Sequence, residues 1–401
     1  MTELGEIPSE WEISKIGELT EIKTGGTPST KCEKYWKDGD IPWMASGDVN
    51  KKIINEVDGR ITKSGMENSA AKLLPKDTVM IALNGQGKTK GTVAYLNIEL
   101  TCNQSLAGFL PSYNVFNSKY FYYNLQSRYF EIRGLAGDGA RNGLNLGLLR
   151  EILIPIPSIK EQEKIASILS TVDEQIDNVD ALIEKNKELK KGLMQTLLTK
   201  GIGHTKFKKT EIGEIPEEWD VKKLECVFEI LDSMRKPIKA SDREKIEGNS
   251  PYYGASGVID WINDYIFDEE LILLGEDGEN LNSRNSDLAF KISGKTWVNN
   301  HAHVFRVINK KECNIDFMVY YLEAKDYSIY IAGSAQPKIT QAQCRKFLLP
   351  LPEKQEQDKI ASILLESDKK IEEYENKKQK LEELKKGLMQ ELLTGMIRVT
   401  V

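Results

Sequence analysis

The sequence predicts an α+β protein: two similar globular domains separated by two long antiparallel coiled-coil helices, related by a pseudo-twofold internal repeat. Three observations predict it. Three phrases are written twice: PIPSIKEQEKIASIL (155–169) with PLPEKQEQDKIASIL (350–364), KELKKGLMQTLLT (187–199) with EELKKGLMQELLT (382–394), and TELGEIPSEW (2–11) with TEIGEIPEEW (210–219). A repeat on this scale marks a duplicated unit. The repeated phrases also carry apolar residues at helical steps, and the stretches between them alternate β-rich and helical runs while sharing little sequence. The boundaries that follow are a first globular domain over 1–154, a central long helix over 155–200, a second globular domain over 201–349 and a distal long helix over 350–401.

The helices come first because their pattern is strongest. Ile165, Ile168, Leu169, Val172, Ile176, Val179 and Ile183 fall at three- and four-residue steps, the spacing of a coiled-coil seam. Leu189, Leu193 and Leu197 continue the stripe beyond Asn186. The second copy repeats it through Ile360, Ile363, Leu364, Ile371, Tyr374, Leu381, Leu384, Leu388 and Leu392 with one constant offset. Prolines at 155 and 157, and again at 350 and 352, cannot continue a helix inward and set where each begins. A helix of about 40 residues is ~60 Å long and cannot bury its stripe alone. Its own copy is the evident partner. The connector over 200–213 spans at most ~45 Å, too short to run back beside a parallel partner, so the pairing is expected to be antiparallel, with the globular inserts at opposite ends. Ile183 matches Lys378, Val172 matches Ser367 and Asn186 matches Leu381. Two readings fit these mismatches: polar residues that fix register, or positions at the edge of the seam.

Strands in the first insert are expected over 77–83 and 92–96, and in the second over 257–262, 269–274 and 303–308. Each insert then has an aromatic-rich helix, KYFYYNLQSRYF (119–130) and FMVYYLEAKDY (317–327), whose aromatics at helical spacing read as core. A polar, glycine-containing loop follows each, over 136–150 and 332–346.

Bulk properties narrow the function. The chain has 401 residues, 40% hydrophobic and 29% charged, as expected of a globular protein with two or three domains. No apolar run reaches the ~20 residues of a membrane span, and the N-terminus lacks the pattern of a signal peptide. Five cysteines stand singly with no CxxC pair, which suits reduced thiols in a cytoplasm. A net charge of −6 argues against nonspecific, charge-driven nucleic-acid binding but leaves local basic surfaces open.

Catalytic motifs are sought without success. ALNGQGKT (82–89) meets a relaxed phosphate-loop pattern, but Ala82 replaces the first glycine and KGTVAYL continues as strand, not helix. A strand–turn–strand with Gln86, Lys88 and Lys90 at its tip fits better. His301 and His303 alternate so that a strand would present both on one face, yet no cysteine or carboxylate has ligand spacing nearby. A hydrogen-bonding role is the expectation. GEDGEN (275–280) reads as a glycine-rich turn in preference to a magnesium site. No GxSxG, HExxH, helicase-type or NPPY-type motif appears, so the chain is not expected to be an enzyme by itself.

The layout resembles the specificity subunit of type I restriction–modification systems, over essentially the whole chain. The resemblance is carried by the two GEIPxEW openings, the P-x-P-x-x-x-x-Q-x-K-I-A-S-I-L helix starts and the LKKGLMQxLLT helix ends. GGTPST (25–30), IPWMASGDV (41–49) and YYGASGVIDWINDYIF (252–267) look like parts of that family's target-recognition domains. The resemblance implies that each insert reads one half of a bipartite, asymmetric double-stranded DNA target. The paired helices would be the spacer and the docking surface for two methyltransferase subunits. S-adenosylmethionine, ATP and Mg would belong to those and to restriction subunits, with no cofactor, metal or catalytic residue in this chain and no membrane contact. Base edges are read by Arg, Lys, Asn and Gln, with other residues holding phosphates. On that ground the candidate DNA contacts in the first domain are Thr27, Ser29, Gln86, Lys88, Lys90, Arg141 and Asn142. In the second they are Arg235, Lys236, Tyr253, Arg284, Asn300, Gln336 and Lys338. Gln336 and Lys338 lead, because GSAQPKIT resembles a recurrent loop of the family. The rival reading is a non-catalytic coiled-coil adaptor whose two domains bind ligands unrelated to DNA.

Overall fold

A computed structural model of the chain describes residues 6–85, 87–137, 143–333 and 336–400. Two units form, and the division cuts both long helices: Met1–Asp180 with Lys377–Val401, and Ala181–Asn376. Each unit thus holds one globular domain and half of each long helix.

The long helices run from Ile159 to Lys200 and from Lys354 to Thr394. Within each unit they pair antiparallel. In the first unit Lys385 and Lys378 reach Asp173 and Asp180, both at 2.7 Å. In the second, Lys187 meets Glu375 at 3.2 Å and Lys190 meets Asp368. Rising numbers on one helix meet falling numbers on the other. Along the stripe Ile165 and Leu169 join the core of the first unit and Ile360 and Leu364 that of the second, and Val179, Ile183 and Ile371 are buried farther along the same helices, each worth about 1.5–3 kcal/mol of burial. Past Asn186 the stripe departs from the expected one. Leu189 and its match Leu384 lie 57% and 50% exposed, while Lys190 and Lys385 turn toward the aromatic helices. Asn186 satisfies itself by donating to the Leu182 carbonyl one turn back, and Lys378 is held by Asp180.

Both long helices end on a glycine with positive φ, Gly201 at +65° and Gly395 at +75°, the left-handed cap a helix C-terminus favours. Each glycine lies against a buried tryptophan, Trp219 and Trp11 respectively. In the first unit the segment after Gly395 meets the segment before Trp11, with Arg398 bridging Glu10 and the buried Glu161. In the second unit Glu356, the match of Glu161, accepts from the Ile202 amide, His204 and the Trp219 indole. The connector over 200–213 is not an open link: Phe207–Thr210 pairs with Gly213–Pro216 as a hairpin.

In the first unit a five-stranded sheet runs in the order Ile22–Thr24, Leu106–Phe109, Val79–Ala82, Val93–Leu96, Ile53–Ile54. Its central strands are buried on both faces, which is why they read as continuous apolar runs. Ser118–Ser127 covers one face with Tyr120, Phe121, Tyr122 and Tyr123, all buried. In the second unit one four-stranded sheet contains Leu271–Gly275 and Ala302–Val307, and another contains Glu247–Gly254 and Gly257–Ile262. Ile315–Ala324 packs there as the counterpart of the first aromatic helix. Both aromatic helices are capped by an asparagine, Asn117 and Asn314, whose side-chain oxygens accept from amides of the first turn.

A buried glutamine ties each globular domain to its long helix. Gln162 accepts from the Asn117 amide at 2.8 Å and donates to the Pro157 carbonyl. Gln357 accepts from the Asn314 amide at 2.8 Å and donates to the Pro352 and Glu312 carbonyls. The repeated glutamine is thus the clamp between a helix start and a domain that has otherwise diverged. No described helix is long and apolar enough to cross a membrane.

Candidate nucleic-acid interface

In the second unit, two of the seven candidate residues, Arg235 and Lys338, meet at one carboxylate. Glu276 directly follows the strand Leu271–Gly275, and its side chain accepts from Arg235 Nη1 at 2.5 Å and Lys338 Nζ at 3.0 Å. Arg235 also donates to the Asp232 and Ala302 carbonyls, and only 12% of its side chain is exposed. Its guanidinium is committed inward, so it belongs to the framework beneath the surface. Lys236 beside it is exposed, with its backbone fixed by Val298 and Trp297. Asn300 is exposed in the turn before Ala302–Val307. Lys338 is 47% exposed, and its amide and carbonyl both pair with Ala332, closing a loop that presents Gln336 to solvent.

A network that the sequence reading missed supports this surface. Asp232, Glu276 and His303 are buried with their ligand-type atoms within 4.8 Å of one another. Such a trio has the composition of a metal site, but its lone pairs are engaged. His303 lies between Asp232 and the Ile339 carbonyl, while Arg235 and Lys338 cover Glu276. Burial is the largest single influence and would raise both carboxyl pKa values; the hydrogen bonds and charges of His303, the Val304 amide and Arg235 together outweigh it at Asp232, and those of Arg235, Lys338 and His303 together outweigh it at Glu276, so both are lowered. The Ile339 amide donates to the Glu276 carbonyl, so the network anchors the base of the Gln336–Lys338 loop. His301 stands apart from His303, half-exposed against Asp277 at 2.9 Å. The signal in the sequence was HAH together with GED, read there one motif at a time.

The other two candidates of this unit lie elsewhere. Tyr253 is half-buried against Phe290, and burial raises its hydroxyl pKa. Arg284 adopts φ +50° and spends its guanidinium on the Lys325 carbonyl and on the Tyr327 ring at the end of Ile315–Ala324.

In the first unit, Thr27 and Ser29 share the exposed loop after Ile22–Thr24, where Thr27 donates to Gln104 and the Ser29 carbonyl accepts from Trp36. Gly25 in that loop approaches so closely that a Cβ would sit 1.9 Å from the Cys102 carbonyl. The expected strand–turn–strand is present, Val79–Ala82 with Val93–Leu96. Lys88 is exposed on its turn, and its carbonyl accepts from Tyr129 and Thr92. Lys90 corrects the expectation of an exposed tip: it is buried, and its carbonyl is held by Arg133. The turn folds back onto the helix Tyr129–Gly134, which covers that end of it. Gln86, Arg141 and Asn142 lie outside the described residues.

Two α+β domains of one pattern, each clamped to a shared pair of long helices and each presenting its own polar loops, define a duplicated two-domain protein. Comparison with known proteins gives the family. The type I restriction modification DNA specificity domain matches twice, over residues 8–190 and 216–383, and the chain belongs to that family of type I specificity subunits. Among its relatives, the type I restriction enzyme MjaIX specificity subunit of Methanocaldococcus jannaschii is 26% identical over 99% of this chain and 96% of its own. The putative MjaX specificity subunit of the same organism is 29% identical over the same shares. The crystal structure of a type I restriction–modification S subunit from M. genitalium matches 98% of both chains with a TM-score of 0.63 at 19% identity, a likeness of fold.

Proposed function

We propose that this chain is the DNA sequence-specificity subunit of a type I restriction–modification complex. Each globular domain binds one half of a bipartite, asymmetric target, and the paired helices set the gap and dock two methyltransferase subunits. One observation carries the reading: the frame is duplicated at one constant offset, with the same clamp at Gln162 and Gln357, while the two polar surfaces it carries differ. A symmetric frame suits two identical partners, and two different surfaces suit two different half-sites. The matched exposed leucines Leu189 and Leu384 give each helix the same apolar contact point, which supports docking of the same partner twice.

In the second domain, Lys236 and Lys338 supply charge toward phosphates, and Asn300 and Gln336 supply amides able to pair with base edges. Thr27, Ser29 and Lys88 are the described counterparts in the first. Chemistry on the DNA would fall to partner subunits that bring S-adenosylmethionine, ATP and Mg.

The test is to express the chain with a methyltransferase subunit and map methylated adenines across a genome. One motif with two specified halves and an unspecified gap is expected; a single contiguous motif, or no modification, would overturn the reading. Within that experiment Lys338→Ala should weaken binding about tenfold, equivalent to 1.4 kcal/mol, because it removes a half-exposed cation from the surface above the buried Glu276 carboxylate. The loss should track the second half-site: equal affinity for native and mutated second halves identifies the variant as impaired there. Unchanged affinity for the native site would remove Lys338 from the interface.

A further inference from the structure

We propose that a tyrosine–aspartate–lysine contact, built once in each unit, is the joint that sets the angle between a globular domain and its helix pair, and through that angle the gap the complex accepts. This rests on the reading of the helices as a spacer. In the first unit the Tyr123 hydroxyl donates to Asp173 Oδ2 at 2.8 Å, Lys385 Nζ meets Asp173 Oδ1 at 2.7 Å, and the ammonium stands 5.4 Å from the Tyr123 ring centre. In the second the Tyr320 hydroxyl donates to Asp368 Oδ2 at 2.5 Å, Lys190 pairs with Asp368 Oδ1, and its ammonium also stands 5.4 Å from the ring.

The three residues come from three elements: the aromatic helix of the domain, the long helix of the same repeat, and the long helix of the other repeat. The joint therefore closes only when the domain and both helices are in register. The tyrosine lies in an insert that has drifted almost everywhere else; apart from the glutamine clamps, Lys385 with Gln126 in the first unit and Asn314 with Asp358 in the second, the rest of its helix meets the long helices through apolar contacts, which tolerate sliding and rotation. A hydroxyl–carboxylate bond does not, because it is directional and charge-assisted. Burial raises the pKa of both tyrosines, so each hydroxyl keeps the proton it donates. The partial burial of both lysines leaves the ion pairs less screened than surface ones. The Gln162 and Gln357 clamps hold the near end of each aromatic helix, and the tyrosine contact, two turns along, is the second point that fixes direction.

The experiment is to co-express full-length Tyr320→Phe and Tyr123→Phe chains with the methyltransferase subunit and map methylation. Phenylalanine keeps the ring and its packing and removes only the directed bond. Half-site sequences should stay as in the unaltered chain, while targets whose gap is one base pair longer or shorter gain methylation about tenfold, the loss of ~1.4 kcal/mol of discrimination. Lys190→Met should do the same, and Lys190→Arg, which keeps the charge, should retain the original gap. A gap as strict in Tyr320→Phe and Lys190→Met as in the unaltered chain would overturn the proposal, as would altered half-sites, which a change in the reading surface would give. An unaltered chain that marks no bipartite site would overturn the functional reading itself, and the joint's role with it.

Discussion

His303 stands between two acceptors, with Nδ1 2.7 Å from Asp232 Oδ2 and Nε2 2.9 Å from the Ile339 carbonyl. A neutral imidazole has one N–H and would turn a bare lone pair toward one of them. The ring is thus an imidazolium that donates at both nitrogens. Burial alone would lower its pKa; the hydrogen bond to Asp232, the adjacent Cys344 side chain and the charge of Asp232 outweigh that and push it up to about 10, from 6.5. Because the folded value lies above the unfolded one, this stabilisation is complete below about pH 6.5 and is lost as pH rises through about 10. Asp232 and Glu276 act in the opposite sense: their lowered values stabilise the fold above the ordinary carboxylate range, and that is lost as pH falls through the folded values. Melting of the second unit should therefore weaken from pH 7 toward 10. His303→Gln should flatten that slope and cost about 3 kcal/mol at neutral pH by stranding Asp232. Thermal melts across that range check both, and a wild-type transition indifferent to pH would contradict the imidazolium. The HAH motif led to the expectation of a hydrogen-bonding role, and both histidines do form hydrogen bonds. It could not show that they part company, because Asp232, which decides the matter, is remote in sequence and near only in space.

At the scale of elements, apolar spacing located the long helices, the aromatic helices and strands such as Gly257–Ile262, since each of these signals is local. It failed where two registers of one helix compete. Leu189 continues a three-and-four stripe on paper, but in the structure its neighbour Lys190 turns inward, because Asp368 and the Tyr320 ring await an ammonium there. A hydrophobicity pattern cannot register a lysine whose stem packs while its head is paired. The glutamine clamp was equally hidden: Gln162 and Gln357 were visible as repeated letters, but their partners are backbone groups. Gln357→Leu should leave the Asn314 amide and the Pro352 and Glu312 carbonyls without their partner, costing about 3 kcal/mol at 1–3 kcal/mol for each buried group left unmade. Amide hydrogen exchange should then quicken at Asn314 and through the first turn of Ile315–Ala324. Exchange as slow as in the unaltered chain would mean that the glutamine does not hold that helix end.

At the scale of the whole molecule, duplication was the most legible feature, since it needs only the chain compared with itself. The sheets were the least legible. Their pairings, such as Val79–Ala82 with Leu106–Phe109, join segments whose register depends on the fold and not on local pattern. The division between units falls at Asp180/Ala181 on one long helix and Asn376/Lys377 on the other. Both tyrosine joints, both glutamine clamps and the Lys378–Asp180 and Lys187–Glu375 pairs lie wholly within one unit or the other. This is therefore where the helix pair can be lengthened while the contacts within each unit are kept. Seven residues inserted at both positions add close to two turns, so the buried stripe keeps its face, and lengthen the helix pair by ~10 Å at 1.5 Å per residue. If the helices set the gap, methylation mapping of that chain should show both half-sites unaltered and a gap longer by up to about three base pairs, at ~3.4 Å per base pair. Insertion in one helix alone breaks the antiparallel register and should instead reduce methylation of every site. An unchanged gap after the paired insertion would show that the helices hold the domains without measuring the distance between the sites they read.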